Sequence, residues 1–457
     1  VNNQNITIIG AGLAGSLLAV YLARRGFKVD VFEKRPDPRK DPTLVRAAEG
    51  RSINLALSAR GIHALKEVGI YDEIAKLSIP MYGRMVHTLD GKTHLQPYGK
   101  DPSEHINAVS RAELNKALIN SAESYPGIKF HFDTICTGMD FLTGEVFLRK
   151  ENSSESIKSS AVMTIAADGV PSAIRMEMLK LPRFDFSQEY ENYGYKELTI
   201  PPGPDGSFLI EKNALHIWPR GSYMLIALPN LDGSFTCTLF FPYEGELSFE
   251  SLDSEKKVSD FFKHVFPDAF NLMPELLEEF FSHPVGHLIT IKCYPWSYQD
   301  KVVLIGDASH AIVPFFGQGM NAAFEDCTVL NEFIQKWGTD WESVFNAFQK
   351  SRKVNTDAIA ELARENFIEM RDLVAQPRFQ LKKKIEAELA KRFPDKFIPK
   401  YSMVSFHRIP YSVVLQRGRR QEKILRQLSE GINTLEQVNW KLAEDLVLSN
   451  LSLLTYH

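Results

Sequence analysis

Apolar positions fall into short runs of strand length and longer stretches with helical spacing. Asn5 to Ile9 is a short β-type run, Gly10-Ala11-Gly12-Leu13-Ala14-Gly15 follows at once, and Ser16 to Arg25 has the spacing of a helix that Gly26 closes. Lys28 to Phe32 predicts a second strand, ended by Glu33. The middle of the chain changes character. Ala214 to Pro242 predicts strands separated by turns at Pro219-Arg220-Gly221 and Asp232-Gly233, hence a mainly antiparallel sheet. Lys301 to Ile305 predicts a parallel-type strand entering another glycine-rich turn, with a helix from Met320 onward. From Trp341 the pattern is helical, broken at Pro377, Pro394, Pro399 and Pro410. No internal repeat or low-complexity linker separates these regions, so the lobes are expected to interleave.

Length and composition narrow this picture. At roughly 150 residues per domain, 457 residues predict two or three lobes. Lysine plus arginine (53) against aspartate plus glutamate (57) leaves a formal charge of -4, so no global positive field exists to hold nucleic acid. Cys136, Cys237, Cys293 and Cys327 lie far apart with no CxxC pair, which disfavours a zinc site or a disulfide framework and predicts a reduced, cytoplasmic protein. No apolar run is long enough to span a membrane, and no basic, apolar leader opens the chain. Thirty phenylalanines indicate a large aromatic core.

Three motifs carry candidate chemistry. In Gly-x-Gly-x-x-Gly, Gly10 permits a tight turn, Gly12 lets a diphosphate approach the backbone beside Leu13, and Gly15 lets the helix pack on the strand. Glu33, 18 residues after Gly15, is placed to accept from a ribose diol. FAD and NAD are not distinguished by this turn alone. Further on, Gly306-Asp307 ends a strand, and Pro314-Phe315-Phe316-Gly317-Gln318-Gly319-Met320-Asn321 leads into a helix whose start can stabilise charge on a flavin ring. A simple NAD site has no need of that half. Asp168-Gly169 follows a third apolar run. Ser110-Arg111-Ala112-Glu113 has the form of a capping box, placing Arg111 in a first helical turn, where it pairs with an anion such as a diphosphate or is simply exposed. His310 beside the Gly306-Asp307 turn reads as a structural hydrogen-bonder rather than an acid or base.

Together these three elements resemble the fingerprints of the class A, single-component flavin aromatic hydroxylases. The resemblance implies an α/β fold with α+β lobes: a Rossmann-like FAD-binding domain at 1–180 and 290–340, interleaved with an antiparallel-sheet substrate domain at 181–289, and a helical C-terminal region at 341–457. Residues 70–105 are expected to contribute to the substrate pocket. It also implies non-covalent FAD, with NADPH and O2 as co-substrates and no metal. Cofactor contacts are expected at Gly10, Gly12, Leu13, Gly15, Glu33, Arg35, Ala56, Arg111, Cys136, Asp168, Asp307, Gly319, Met320 and Asn321.

Gly50-Arg51-Ser52-Ile53-Asn54-Leu55-Ala56-Leu57-Ser58, Tyr193-Gly194-Tyr195-Lys196-Glu197-Leu198, the 313–321 turn and Tyr401-Ser402-Met403-Val404-Ser405-Phe406 resemble the kynurenine 3-monooxygenase family. That resemblance implies hydroxylation of L-kynurenine to 3-hydroxy-L-kynurenine by oxygen activated at the flavin C4a position. It places Arg84 and Tyr98 on the substrate carboxylate, Asn366, Glu369, Met370 and Tyr401 in the pocket, and Phe235 and Phe316 as apolar walls. Asn366 also stands out without the family. On a helix from Thr356 to Val374 it projects within about 20° of Ile359, in mid-stripe with Leu362, Met370 and Leu373, so its amide must bond a backbone group or a polar ligand. Alternatives are a class A hydroxylase of another aromatic acid, or a non-catalytic flavin-binding protein. Eukaryotic members carry a hydrophobic C-terminal anchor. Here Gln421 to His457 is broken by charges, so the resemblance implies a soluble, bacterial-type member without a membrane span, as a monomer or homodimer. The run Arg417-Gly418-Arg419-Arg420 reads as a solvated helix face.

Overall fold

A computed structural model describes residues 4–40, 54–99, 101–151, 156–373 and 376–454. The chain divides into two units. One comprises Val1–Ile79, Asn107–Glu191 and His287–Ala360, the other Pro80–Ile106, Asn192–Gly286 and Glu361–His457. The helical region from 341 onward therefore divides within a single helix, Trp341–Ile368. Residues 50–53 of the motif beginning at Gly50, and Val374 of the expected helix, lie outside the described residues.

The first unit is built on a sheet whose central strands are covered on both faces, which is why their sequences are continuous apolar runs. Its order is Ser297–Tyr298, Val302–Leu304, Met163–Ala166, Asn5–Ile9, Lys28–Phe32, Ile128–His131, parallel except for the first strand. Ile6, Ile8, Val31, Ile165 and Val303 are fully buried. Helix Leu13–Arg24 follows the first strand directly. Strand Asn54–Leu57 pairs antiparallel with Ile106–Ser110, out of which helix Arg111–Glu123 runs.

In the second unit, antiparallel pairing joins Asp185–Ile200 to Phe235–Pro242, then to Met224–Pro229 and Leu215–Pro219. Gly83–His87 then adds parallel to Leu215–Pro219, and Thr93–Pro97 forms the edge beyond it. One face of this sheet packs on helices Glu255–Val265 and Leu276–Ser282. Phe241, Phe261, Phe262, Phe266 and Phe280 meet there edge-on or tilted, which accounts for part of the phenylalanine surplus. Helices Pro377–Arg392, Tyr411–Leu428 and Trp440–Asn450 pack around Ile385, Leu389, Ile424 and Val447. Each of the first two begins at or just after a proline, where a missing N-H costs nothing.

Two expectations change. The helix carrying Asn366 is α-helical only to Ile368, then makes a π-turn over Glu369–Leu373. Arg417 is not part of a solvated face: it is buried, with Nη2 donating to the carbonyls of Lys396 and Ser452. Among the described residues no helix is long and apolar enough to cross a membrane.

Candidate active site

Three adjacent strands of the first unit end in the three motifs. Asn5–Ile9 runs into Gly10, Met163–Ala166 into Asp168, and Val302–Leu304 into Gly306. Gly10 takes φ +100°, and a Cβ there would lie 2.4 Å from the Ala167 carbonyl oxygen. At Gly15 a Cβ would lie 2.0 Å from the Gly10 oxygen, so the helix approaches the strand as closely as backbone permits. Gly12 is different. Among the described residues no atom beyond its immediate chain surroundings lies within 4 Å of where its Cβ would be, and it faces a cavity lined also by Leu13, Glu33, Arg35, Arg111, Asn115 and Phe132.

The polar groups around this cavity suit the adenosine diphosphate half of FAD. Glu33 Oε2 accepts from Ala11 N at 2.9 Å, and Oε1 accepts from Arg35 N at 2.9 Å and Arg35 Nε at 2.8 Å. Burial would raise the Glu33 pKa, but the Arg35 guanidinium and these N-H donors outweigh it and hold the carboxyl below its ordinary range. Arg111 opens its helix and has no carboxylate partner among the described residues. The expected capping box is one-sided. Ser110 Oγ accepts from Glu113 N at 3.4 Å, while the Glu113 carboxylate is taken by Lys116 Nζ at 2.8 Å.

Asp168 Oδ2 accepts from Ala173 N at 2.8 Å, whereas its Oδ1 is buried without a hydrogen-bond partner among the described residues, and burial raises its pKa. A buried acceptor left unmatched costs about 1–3 kcal/mol, which a ligand hydroxyl would recover. Gly306 takes φ +58° and Asp307 follows it, half-buried. Gly319 and Met320 open the helix Gly319–Trp337. Asn321 is spent on the protein: Nδ2 donates to Ala56 O and Gly317 O, both at 2.8 Å, and Oδ1 accepts from Ser58 N at 2.9 Å. It thereby ties the Ala56 strand to the flavin-side turn. Phe316 is buried in the 3-10 turn Pro314–Phe316. Cys136 is not at a strand end but within Thr134–Met139, beside a bulge opposite Phe147 and Leu148, and burial pushes its thiol up to about 12.

In the second unit Arg84, Tyr98, Tyr401 and Glu369 converge. The rings of Tyr98 and Tyr401 stack at 4.8 Å, and Arg84 Cζ sits 5.8 and 5.0 Å from their centroids. Arg84 Nη1 is 4.0 Å from Glu369 Oε1, which is 3.5 Å from Lys383 Nζ. Burial would lower the Arg84 pKa, but the phenol oxygens of Tyr98 and Tyr401 and the Glu369 carboxylate raise it. Burial would raise that of Glu369, but Lys383, Lys400 and Arg84 hold it below the usual glutamate range. Asn366 is buried, with Nδ2 donating to Met370 Sδ at 3.3 Å. Phe235 does not join this group. It lies edge-on to His216 and Phe208, on the face of Trp218 and Phe241. Arg84 registers with Leu215, so its side chain leaves by the opposite face from His216.

A family model described as an FAD binding domain matches residues 3–198 and 292–343. A relative named kynurenine 3-monooxygenase from Myxococcus xanthus is 48% identical over 449 residues, covering 98% of this chain and 96% of the relative. One of the same name from Dictyostelium discoideum is 47% identical, covering 97% and 98%. The chain belongs to the kynurenine 3-monooxygenase family. Among solved structures, the tetrameric form of 2-methyl-3-hydroxypyridine-5-carboxylic acid oxygenase has a TM-score of 0.65 at 19% identity, covering 82% of this chain and 95% of that one. PqsL of P. aeruginosa has 0.61 at 18%, covering 81% and 98%. These two share the fold.

In this member of the kynurenine 3-monooxygenase family, three polar residues went unnoticed in the sequence. Asn115 lies one turn after Arg111 on the same helix face, with Oδ1 buried and unpartnered among the described residues. The i, i+4 spacing from Arg111 was the available signal. Lys383 and Lys400 offered none, since their pairing depends on how separate helices pack. His310 is buried, bonded through Nε2 to Asp326 at 2.6 Å and tilted against Trp296, as a structural residue would be.

Glu33→Gln is expected to weaken FAD binding by about 10- to 100-fold, the value of a hydrogen bond to a charged group, measured by flavin fluorescence quenching on titrating apoprotein. The folded pKa of Glu33 is depressed, so its contribution is complete above the ordinary range near ~4.3 and is lost as pH falls through the lower folded value. The wild type should therefore lose more stability than Glu33→Gln in that acid window, the difference being the Glu33 contribution.

Proposed function

We propose that the protein hydroxylates L-kynurenine to 3-hydroxy-L-kynurenine, using NADPH and O2 with bound FAD. The observation that carries this reading is the Arg84, Tyr98, Tyr401 and Glu369 group in a chain of this family. The guanidinium of Arg84 takes the α-carboxylate through parallel hydrogen bonds, and the stacked phenols supply further polar contact at its edge. Glu369, held ionised, takes the α-ammonium. Three cations, Arg84, Lys383 and Lys400, already face three carboxylates, Glu369, Glu386 and Glu365. A zwitterion adds no net charge to that balance. An amino acid therefore fits better than a simple aromatic acid, whose carboxylate would arrive without a compensating cation.

FAD, held by Gly12, Glu33, Arg35, Arg111, Asp168 and the Gly319 helix start, supplies activated oxygen after reduction by NADPH. The chain's own residues orient the ring and keep water out, since the aniline nitrogen already activates the carbon beside it. Asn366 and Met370 line the aryl side. The reading includes a cytoplasmic setting, in which four unpaired cysteines stay reduced.

L-Kynurenine is expected to accelerate NADPH oxidation by the FAD-loaded protein at least about tenfold and to yield 3-hydroxykynurenine on admission of oxygen. Equal acceleration by 4-hydroxybenzoate would move the assignment to another aromatic acid. A protein that takes up FAD but oxidises no NADPH with any of them would be a binding protein.

A further inference from the structure

We infer that Asp268, His87 and His216 form a proton-ordered chain that fixes the register of the Gly83–His87 strand, making His87 and Asp268 positioning residues for the substrate carboxylate. The inference rests on the reading of Arg84 as the carboxylate-binding residue.

Hydrogen-bond logic sets the protons. His216 Nε2 lies 2.7 Å from the Glu211 carbonyl, which can only accept, so this nitrogen donates. Burial holds the His216 pKa down at about 4, so the ring is neutral and its Nδ1 is an acceptor. His87 Nε2, 2.8 Å away, must then donate to it. On the other side His87 Nδ1 is 2.6 Å from Asp268 Oδ2. Burial opposes ionisation of Asp268, but His87 and Trp218 outweigh it and lower its pKa, and Trp218 Nε1 donates to both of its oxygens at 2.9 and 3.0 Å. His87 is thus held at both ring nitrogens, by His216 on one side and Asp268 on the other. Its ring stacks on Trp218 at 4.0 Å, and Arg220 Nη1 donates to its carbonyl at 3.1 Å while Nε holds the Val265 carbonyl at 2.7 Å.

The strand needs such a lock. Gly-Arg-Met-Val-His shows no clean alternation of buried and exposed positions, so hydrophobic patterning does not decide its register. Only three residue pairs join it to Leu215–Pro219, and on its other side lies a mostly exposed edge strand. A slip of one residue would carry Arg84 to the helix-covered face. Arg84 and Val86 share one face, Met85 and His87 the other, so a polar chain on the second face sets the aim of the guanidinium on the first.

The test uses FAD-loaded protein, with dissociation constants for L-kynurenine and for kynuramine, its analogue lacking the carboxylate, read from the flavin absorbance change. Wild type, Arg84→Ala, His87→Phe and Asp268→Asn are compared, with FAD content and melting temperature recorded. A general loosening would weaken both ligands alike. A positioning role reduces the preference for kynurenine over kynuramine, by at least tenfold in His87→Phe and in the same direction in Asp268→Asn. The isosteric Asp268→Asn carries the test if His87→Phe does not fold. Wild-type preference in both variants, while Arg84→Ala loses it, overturns the inference alone. Retained preference in Arg84→Ala overturns the carboxylate reading and the inference with it.

Discussion

Arg84→Ala is expected to raise the dissociation constant for L-kynurenine by about a hundredfold or more, with FAD content unchanged. Removing one partner of a desolvated ion pair costs about 2–5 kcal/mol, because the other charge stays buried without its match. Here the stranded charge would be the substrate carboxylate, at the edge of two stacked phenol rings and near Glu369. Glu369 itself keeps Lys383, so the free protein should suffer little. Lysine at this position keeps the charge but not the paired donors, and should recover only part of the loss. Binding titrations and kcat against KM would distinguish this from a failure of cofactor loading. Wild-type affinity in a folded Arg84→Ala protein would remove the residue from the carboxylate role.

Gly12→Val should abolish FAD binding, on the order of a thousandfold or about 4 kcal/mol, while leaving a folded apoprotein. The backbone at Gly12 is extended, with φ -70°, and open to any residue, and among the described residues no atom beyond its immediate chain surroundings lies within 4 Å of the new Cβ. The valine would instead fill the cavity at the helix start, where a diphosphate needs direct approach to N-H groups. Gly15→Ala should behave in the opposite way. Its methyl would be driven against the Gly10 carbonyl, so the lesion is in folding, with cofactor loss only as its consequence. Circular dichroism melts with and without added FAD would separate the two. A Gly12→Val protein that takes up FAD normally would show that this cavity does not hold the diphosphate.

The cofactor side was legible in the sequence because it is local. Strand, glycine turn and helix are contiguous from Asn5 to Arg24, and the acid at Glu33 follows at the next strand end. The three motifs were legible singly, and their adjacency follows once the three strands are read as parallel neighbours. Asn366 was visible as an amide in an apolar stripe, and it is buried. What could not be read was parity and partnership. Phe235 and Thr236 are neighbours on opposite faces of one strand, and only pairing with Pro229 and Thr199 decides which face is which. The charge pairs of Lys383 and Lys400 depend on helices separated by proline breaks. Asn321 carried a cofactor signature, and its amide is occupied in tying a strand to a turn, a use that composition and spacing do not reveal.

The π-turn at Glu369–Leu373 makes this stretch unusually sensitive to length. A π-turn holds one more residue than the α-turn it replaces. Deleting a single residue there would let the helix close in ordinary α register and turn the residues within the stretch relative to Asn366. Glu369 and Met370 would then face elsewhere although no side chain had changed. Libraries of insertions and deletions should find this five-residue stretch intolerant of any change in residue count, even where Glu369 and Met370 are kept.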